Sequence, residues 1–133
     1  MSHSIIEPSS ALISTAAGSV FHTGDWKIDF NPQIGEGINK KRLEALAKEN
    51  VLAMVCDSTN VLVNGTSGSE EDVIKPLTNI IKECSGRVFV SAFASNVTRL
   101  NTLAKIGLSL GKKVALVGQS MWRMVEIAKK SGY

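Results

Sequence analysis

The stretch Val51-Leu52-Ala53-Met54-Val55-Cys56, followed directly by Asp57, is the part of this 133-residue chain that indicates its fold class most directly. A continuous apolar run of this length favours a strand that is buried on both faces, as in a sheet covered by helices. Asp57 then stands at the carboxyl end of the strand, where α/β folds place their functional groups. Residues 40–50 carry leucine and alanine at helical spacing, so a short helix is predicted just before the strand.

Two short runs further upstream predict a β-hairpin. Residues 11–15 and the alternating residues 19–23 flank Ala16-Ala17-Gly18, where glycine supplies the positive φ of a tight connection. The second strand leads into Gly24 and Asp25, and a short side chain after a glycine at a strand end is readily aimed into a cleft. From the residues alone, the more ordinary interpretation of Asp25 is a turn aspartate.

The segment 60–69, with two glycines and several small polar residues, is the best candidate for a domain boundary. Beyond it, Ser69 and Asp72 resemble a helix-capping arrangement, and apolar residues recur at helical spacing as far as Cys84. Pro76 falls within this pattern, and its ring clashes with the carbonyl four residues back. A kink or a late helix start is therefore predicted there.

The remainder of the chain alternates regularly between strand-like and helix-like segments. Strands are predicted over 87–93 and 113–117, and helices over 96–110, which ends at Gly111, and 120–130. Strands separated by helices of this length normally lie parallel with right-handed crossovers. The second half is therefore predicted to be part of a parallel, doubly wound sheet, and the fold class of the chain is α/β.

Composition places few limits on function. The chain is 44% hydrophobic, enough for one domain or two small subdomains, and its 15 basic and 12 acidic residues give a net charge of +3. That mild excess is compatible with a polyanionic partner. Cys56 and Cys84 lack C-x-x-C spacing, and no signal peptide or long apolar run is visible, so we expect reduced core thiols in a cytoplasmic protein without a membrane segment.

Ser95 and Asn96 lie between a predicted strand and a predicted helix, where unpaired backbone N–H groups and the helix dipole attract phosphate. Arg99, one turn later, adds positive charge. Ordinary N-capping by Ser95 is an equally good interpretation, and the two roles are compatible. Lys27, beside Asp25, either meets phosphate or balances the charge of Asp29.

Four short motifs together resemble the ribonuclease J family, whose members have a metallo-β-lactamase fold with an inserted β-CASP domain. They are Thr23-Gly24-Asp25, Trp26-Lys27-Ile28-Asp29, Cys56-Asp57-Ser58-Thr59-Asn60 and Phe93-Ala94-Ser95-Asn96-Val97. The resemblance implies part of a metallo-β-lactamase αββα core over residues 1–60 and the first half of a β-CASP domain over 61–133. The family's His-x-His-x-Asp-His motif and its C-terminal histidines are absent from this sequence, so an internal fragment is expected.

The resemblance also implies roles for three residues of the first half. His3, in His3-Ser4-Ile5, matches a zinc-binding histidine, although the family often continues with Pro-Asp-Ser where this chain has Ile6-Glu7-Pro8. Asp25 matches a carboxylate that bridges two zinc ions. Asp57 matches an acidic catalytic residue that orients a histidine, and the alternative for Asp57 is an Asx-turn residue. His3 and Asp25 are only two ligands, whereas zinc sites ordinarily need three or four protein groups.

Ser95, Asn96, Arg99 and Lys27 are the residues expected to bind RNA. The function implied is hydrolysis of RNA phosphodiesters, endonucleolytic and 5′-to-3′ exonucleolytic in a full-length zinc enzyme, with the fragment itself inactive. Two alternatives stay open: a non-catalytic module that binds RNA or associates with itself through exposed sheet edges, and another metallo-β-lactamase-fold hydrolase. The Asp57 and Ser95 motifs disfavour the latter, because small-molecule members lack the inserted domain. A homo-oligomer is expected.

Overall fold

The structure is a computed structural model that describes residues 2–133. The chain divides into two compact units. The first contains Glu7–Phe30 and Glu36–Gly68 together with Ser2 and His3, and the second contains Ser69–Tyr133 together with Ser4–Ile6 and Asn31–Gly35.

The first unit is built on a three-stranded sheet of order β1-β2-β3. Strands β1 (Ala11–Thr15) and β2 (Gly18–His22) form the predicted antiparallel hairpin, and β3 (Val51–Val55) pairs parallel to β2 on its other side. Helix α1 (Lys40–Leu46) precedes β3 and is capped by Asn39, whose Oδ1 accepts the Arg42 N–H at 3.0 Å. Because β2 and β3 run parallel, their carboxyl ends meet at one edge of the sheet.

Strand β3 forms where the apolar run predicts it, but the expectation that both its faces are buried is wrong. It is the outer strand of the sheet, and Leu52 and Met54 are 61% and 60% exposed. The buried large side chain of the sheet is Phe21, on the central strand β2. An apolar run shows that a strand needs covering layers, and within residues 2–133 no element supplies them for β3.

The second unit is helical where it has regular structure. Helix α2 (Ile74–Glu83) follows a 3-10 turn at Glu71–Val73, and helices α3 (Val97–Ser109) and α4 (Gln119–Lys130) come after it. Helix α3 contacts both α2 and α4. The buried apolar side chains of this unit come from all three helices and are Ile81, Val97, Leu100, Ile106 and Ala128.

The start of α2 confirms two details of the prediction. The Asp72 carboxylate accepts the Ser69 N–H at 2.7 Å, and the Ser69 hydroxyl accepts the Glu71 N–H at 3.2 Å, so the capping arrangement is present. Pro76 is the third residue of α2. The residue four positions before it lies in the 3-10 turn, so the helix starts late and the ring of Pro76 displaces no α-helical hydrogen bond.

The two strands predicted in the second unit are not formed. Residues 87–93 and 113–117 carry no strand, and within the described part of the chain no backbone ladder involves them. A strand exists only through hydrogen bonds to a neighbouring strand. Phe89 and Phe93 are 86% and 85% exposed, which shows that these apolar segments also lack covering side chains here. The mixed α/β class is confirmed, whereas a parallel sheet in the second half is not.

Two smaller expectations concern the cysteines and the membrane. Cys56 and Cys84 are free thiols, as predicted, but Cys84 is exposed at the end of α2 and does not belong to a core. Of the helices within residues 2–133, none combines the length and the apolar character that crossing a bilayer requires.

Candidate functional site

Thr23 connects the carboxyl ends of the two parallel strands in the first unit. Its N–H donates to the Val55 carbonyl at 3.0 Å, which extends the pairing of β2 and β3 by one residue. Its hydroxyl donates to the Gly24 carbonyl at 2.7 Å and accepts the Asp57 N–H at 3.3 Å. Thr23 is only 1% exposed. A single buried side chain therefore fixes the backbone on which Asp25 and Asp57 stand.

The Gly24–Trp26 segment is held against Asp57 from the other side. The Trp26 indole N–H donates to the Asp57 carbonyl at 3.3 Å. Gly24 has φ +64°, and a Cβ at this position would lie 3.0 Å from the Ser9 carbonyl oxygen. Both the left-handed backbone and the close approach favour glycine here. The Thr23-Gly24-Asp25 motif thus corresponds to a tight turn whose flanking residues Thr23 and Trp26 both contact the Asp57 backbone.

The Asp57 carboxylate is held in an Asx turn. Its Oδ1 accepts the Thr59 N–H at 3.0 Å and the Thr59 hydroxyl at 2.9 Å. These two hydrogen bonds are the main reason that the pKa of Asp57 is lowered from its ordinary value, against a small opposing effect of burial. A hydrogen bond from the Trp26 backbone and the nearby charge of His3 lower the pKa further. Asp57 is therefore an anion near neutral pH.

The chain around Ser2, next to His3, is tied to the loop after Asp25. The Lys27 N–H donates to the Ser2 carbonyl at 2.8 Å, and the buried Ser2 hydroxyl accepts the Asp29 N–H at 3.0 Å. The residue before His3 is therefore tied to the loop that follows Asp25.

The remaining predicted residues of the first unit differ in accessibility. Asp25 is exposed, at a bend of the chain next to Trp26. The Lys27 ammonium lies 3.8 Å from the buried Asp29 carboxylate, so the structure has the charge-balancing arrangement that the sequence left open. Lys27 is partly exposed, and its side chain stabilises the loop that carries Asp25.

The described residues do not by themselves form a complete metal site. Within residues 2–133, no group of three or more His, Cys, Asp or Glu side chains is arranged to hold a metal ion. His3 and Asp25 are of the right chemical type, an imidazole and a carboxylate, but zinc ordinarily takes three or four protein ligands. No catalytic step through a metal is therefore assigned to this chain alone.

In the second unit, α3 begins one residue later than predicted, and its N-cap is Asn96. The Asn96 Oδ1 accepts the Arg99 N–H at 2.9 Å, whereas Ser95 is exposed just outside the helix. The capping role predicted for Ser95 is therefore wrong. Asparagine is as good a cap as serine, so two adjacent candidates competed for one position and sequence preference did not decide between them.

Arg99 is held within the protein by Glu70, a residue that sequence reasoning missed. Its Nε donates to Oε2 at 2.9 Å, and its Nη2 donates to Oε1 at 3.1 Å. Glu70 is buried and Arg99 is partly exposed. The positive charge of Arg99 is thus neutralised locally, which weakens its expected role as an RNA contact. Sequence offered no signal for this pair, because the two residues are 29 positions apart and no pattern links them.

Known proteins with similar sequences are ribonuclease J proteins. Residues 85–133 match the family described as ribonuclease J, β-CASP domain. Ribonuclease J of Sinorhizobium meliloti is 44% identical over 132 residues, which cover 99% of this chain and 23% of that protein. The ribonuclease J proteins of Corynebacterium glutamicum and Helicobacter pylori strain J99 are 41% and 36% identical over the whole chain, which covers 18% and 19% of their lengths.

This chain therefore spans between about a fifth and a quarter of the length of these relatives. The alignments include both units, and the family match lies within the second. In sequence, the chain belongs to the ribonuclease J family and corresponds to a part of its longer members.

Proposed function

We propose that this chain acts as part of a ribonuclease that hydrolyses RNA phosphodiester bonds. The observation that carries the proposal is the cluster at the carboxyl ends of β2 and β3, where Thr23 holds the backbone of Asp57 beside the Asp25 turn. The 44% identity to a ribonuclease J across 99% of the chain supports the assignment of this cluster to RNA hydrolysis. Both endonucleolytic and 5′-to-3′ exonucleolytic cleavage are proposed for the longer enzyme.

His3 and Asp25 are the residues proposed to hold zinc in that enzyme, with the remaining ligands supplied from outside this sequence. Two zinc ions, when bound, supply an activated water for attack on phosphorus. The chain's own contribution is positional: Ser2 anchors the segment of His3, and the Gly24 turn presents Asp25. Asp57 is proposed to act as an acceptor that orients a histidine, a role suited to a carboxylate with a lowered pKa.

A chimeric enzyme tests the proposed function directly. This sequence replaces the 44% identical segment of the Sinorhizobium meliloti ribonuclease J, and cleavage of 5′-phosphorylated single-stranded RNA is measured. We expect the chimera to cleave RNA and Asp25→Asn to reduce kcat at least about 100-fold, because an amide cannot replace an anionic ligand. Glu36→Gln, an exposed carboxylate in the next loop, is the matched control and should change kcat less than about twofold. An Asp25→Asn chimera of full activity would refute the assignment.

The isolated chain is proposed to lack ribonuclease activity and to bind zinc at less than one ion per chain. Elemental analysis of the purified chain, with and without added zinc, measures the zinc content per chain. One zinc ion per chain that is lost in His3→Ala would contradict the proposed weak zinc binding. It would mean that the chain rebuilds a metal site, for example as an oligomer. Metal-dependent RNA cleavage by the purified chain, abolished by Asp25→Ala, would contradict the proposal that the isolated chain lacks ribonuclease activity.

A second proposal concerns self-association, which we infer for the isolated chain. The observation that favours it is the outer strand β3. Its outer edge pairs with no other strand of residues 2–133, and its Leu52, Met54 and Val55 side chains are exposed. Such an edge is a template for pairing with another strand. A second copy of this chain offers the same edge, so pairing of two β3 strands is the proposed contact.

A further inference from the structure

The side chain of His22, the last residue of β2, is bonded to the backbone of the turn that leads to Asp25. The Gly24 N–H donates to the imidazole Nδ1 at 3.0 Å. We propose that His22 is a positioning residue of the hydrolytic site, which fixes the backbone from which the Asp25 carboxylate projects. The proposal rests on the proposed function, because it takes Asp25 to be a zinc ligand.

Gly24 is the point of this turn that most needs to be held. It has φ +64°, and glycine adopts either sign of φ readily because it lacks a Cβ. The peptide group before Gly24 is held through its N–H by the His22 imidazole. The peptide group after Gly24 is held through its carbonyl, which accepts the Thr23 hydroxyl at 2.7 Å. These two peptide groups set the direction of the chain at Asp25, so one side chain on each limits the rotation that glycine allows.

Both of these side chains stand on a fixed base. Strand β2 is the central strand of the sheet, and His22 pairs with Ala11 on one side and with Val55 on the other. His22 is exposed and Thr23 is buried, as expected of consecutive residues that point to opposite faces of a strand. The sheet therefore holds the turn through one side chain from each face.

The hydrogen bond specifies the chemistry that is required at position 22. Only a ring nitrogen without a hydrogen accepts an N–H, so the proton of the neutral ring is on Nε2. An acceptor that binds the N–H two residues further along has the geometry of an Asx turn, which asparagine and aspartate ordinarily form. Asp57 forms such a turn with the Thr59 N–H after β3. His22→Asn keeps an acceptor at the same number of bonds from the backbone as Nδ1, whereas His22→Gln moves it one bond further out.

The exposure of this bond separates a positioning role from a stabilising one. Water can replace an exposed acceptor, so the contribution of the His22 imidazole to the free energy of unfolding is small. Catalysis is more sensitive to position, since displacing a group by about 1 Å can reduce a rate roughly 100-fold. Loss of the acceptor should therefore lower kcat without a matching loss of stability.

Nitrogen NMR of the isotopically labelled chain tests the hydrogen bond independently of catalysis. In mildly alkaline buffer, we expect the His22 ring to be the Nε2–H tautomer. Relaxation measurements should show that the Gly24 and Asp25 amides are more mobile in His22→Leu than in the wild type, and that His22→Asn restores their rigidity. An Nδ1–H tautomer, or equal mobility in the wild type and His22→Leu, would overturn the proposal.

The chimeric enzyme described above measures the consequence for catalysis. We expect His22→Leu and His22→Gln to lower kcat about tenfold while KM changes less than about twofold. His22→Asn, the matched amide, should stay within about twofold of the unsubstituted chimera. Urea unfolding of the isolated chain should give nearly the same midpoint for all three variants. Should His22→Leu fail to fold, His22→Gln takes its place, because it keeps a polar side chain of similar size.

The outcomes distinguish this proposal from the proposed function. An unsubstituted chimera that cleaves no RNA, or one that Asp25→Asn leaves fully active, would refute the proposed function, and amide mobility would still decide whether His22 holds the turn. In a chimera that depends on Asp25, full kcat in His22→Gln and His22→Leu would overturn the positioning role alone. Equal losses in His22→Asn and His22→Gln would overturn it as well, because the position of the acceptor would then not matter.

Discussion

Arg99 and Glu70 form a paired ion contact in which the guanidinium donates through Nε and Nη2 to the two carboxylate oxygens, at 2.9 and 3.1 Å. This geometry matches the planar fork of arginine to the two oxygens of a carboxylate, which lysine cannot reproduce. The contact joins the first turn of α3 to the residue before the 3-10 turn that leads into α2. Arg99 therefore contributes to the stability of the second unit more directly than to ligand binding.

The first prediction follows from this pair. Arg99→Lys should lower the free energy of unfolding of the second unit by about 1–3 kcal/mol, because the buried Glu70 loses its two-point partner. Urea unfolding followed through the amide signals of α3 measures the change. Lys105→Gln, an exposed cation on the same helix, is the control and should stay within about 0.5 kcal/mol of the wild type. If Arg99→Lys were as stable as the wild type, the Arg99–Glu70 pair would not stabilise the second unit.

The second prediction concerns the hydroxyl of Thr23. Thr23→Val keeps the shape of the side chain but removes the acceptor of the Asp57 N–H and the donor to the Gly24 carbonyl. We expect a loss of about 1–3 kcal/mol in the first unit, because these polar groups lose their partner at a buried site. Thr23→Ser, which keeps the hydroxyl, should recover most of that loss. Urea unfolding followed through the amide signals of β2 measures the free energy of unfolding. A Thr23→Val variant as stable as the wild type would contradict this prediction.

The sequence was most informative where the determining pattern is local. The hairpin, the position of β3 and the late start of α2 depend on neighbouring residues such as Gly18 and Pro76, and all three are present. Burial of β3 and the strands over 87–93 and 113–117 depend on other elements to pair with or cover them, and those predictions are wrong for the described residues. Local periodicity specifies what a segment needs, but not which partner supplies it.

The same distinction applies to the candidate site. The motifs identify Asp25 and Asp57 by position and include Thr23, but they predict no role for the Thr23 hydroxyl, which accepts the Asp57 N–H and donates to the Gly24 carbonyl. Glu70 is not predicted because it lies 29 positions from Arg99, and only the fold brings the two side chains together. Groups that act through tertiary contacts carry no sequence pattern of their own.

The third prediction is a pH dependence that originates at Asp57. Its pKa is lowered in the folded state from an ordinary value of 3.8, so the carboxylate stabilises the fold above that value. This stabilisation is complete above roughly pH 5 and is lost as the pH falls through the lowered pKa. Asp57→Asn should therefore be less stable than wild type near neutral pH, and the two should converge in acid.

Two measurements check this prediction. Urea unfolding of both proteins across the acidic range gives the difference in free energy, and a difference that stays constant with pH would contradict it. Carbon NMR of the Asp57 carboxyl group gives the direction of the pKa change itself. Thr59→Val keeps the carboxylate but removes the hydroxyl that donates at 2.9 Å, so it should raise the pKa of Asp57 toward its ordinary value.

The fourth prediction separates the two capping candidates of α3. Asn96→Ala removes the side chain that accepts the Arg99 N–H and should lower the stability of the second unit by about 1 kcal/mol. Ser95→Ala, one residue earlier and exposed, should change stability by less than about 0.5 kcal/mol. Thermal unfolding of the two variants side by side gives the comparison. The reverse order would mean that Ser95 caps the helix in solution.

The last prediction concerns the exposed outer strand β3. If two chains pair through this strand, Met54→Lys should shift the equilibrium toward the monomer, because a lysine on an edge strand opposes pairing with another strand. Sedimentation velocity over a range of protein concentrations measures the effect, with Leu62→Lys as control. Leu62 is equally apolar and 94% exposed but lies outside the sheet, so its replacement should leave association unchanged.

A wild-type chain that stays monomeric at every concentration, or equal effects of both lysines, would show that β3 is not the contact. Dissociation by Met54→Lys alone would place the second copy on the unpaired edge of this sheet.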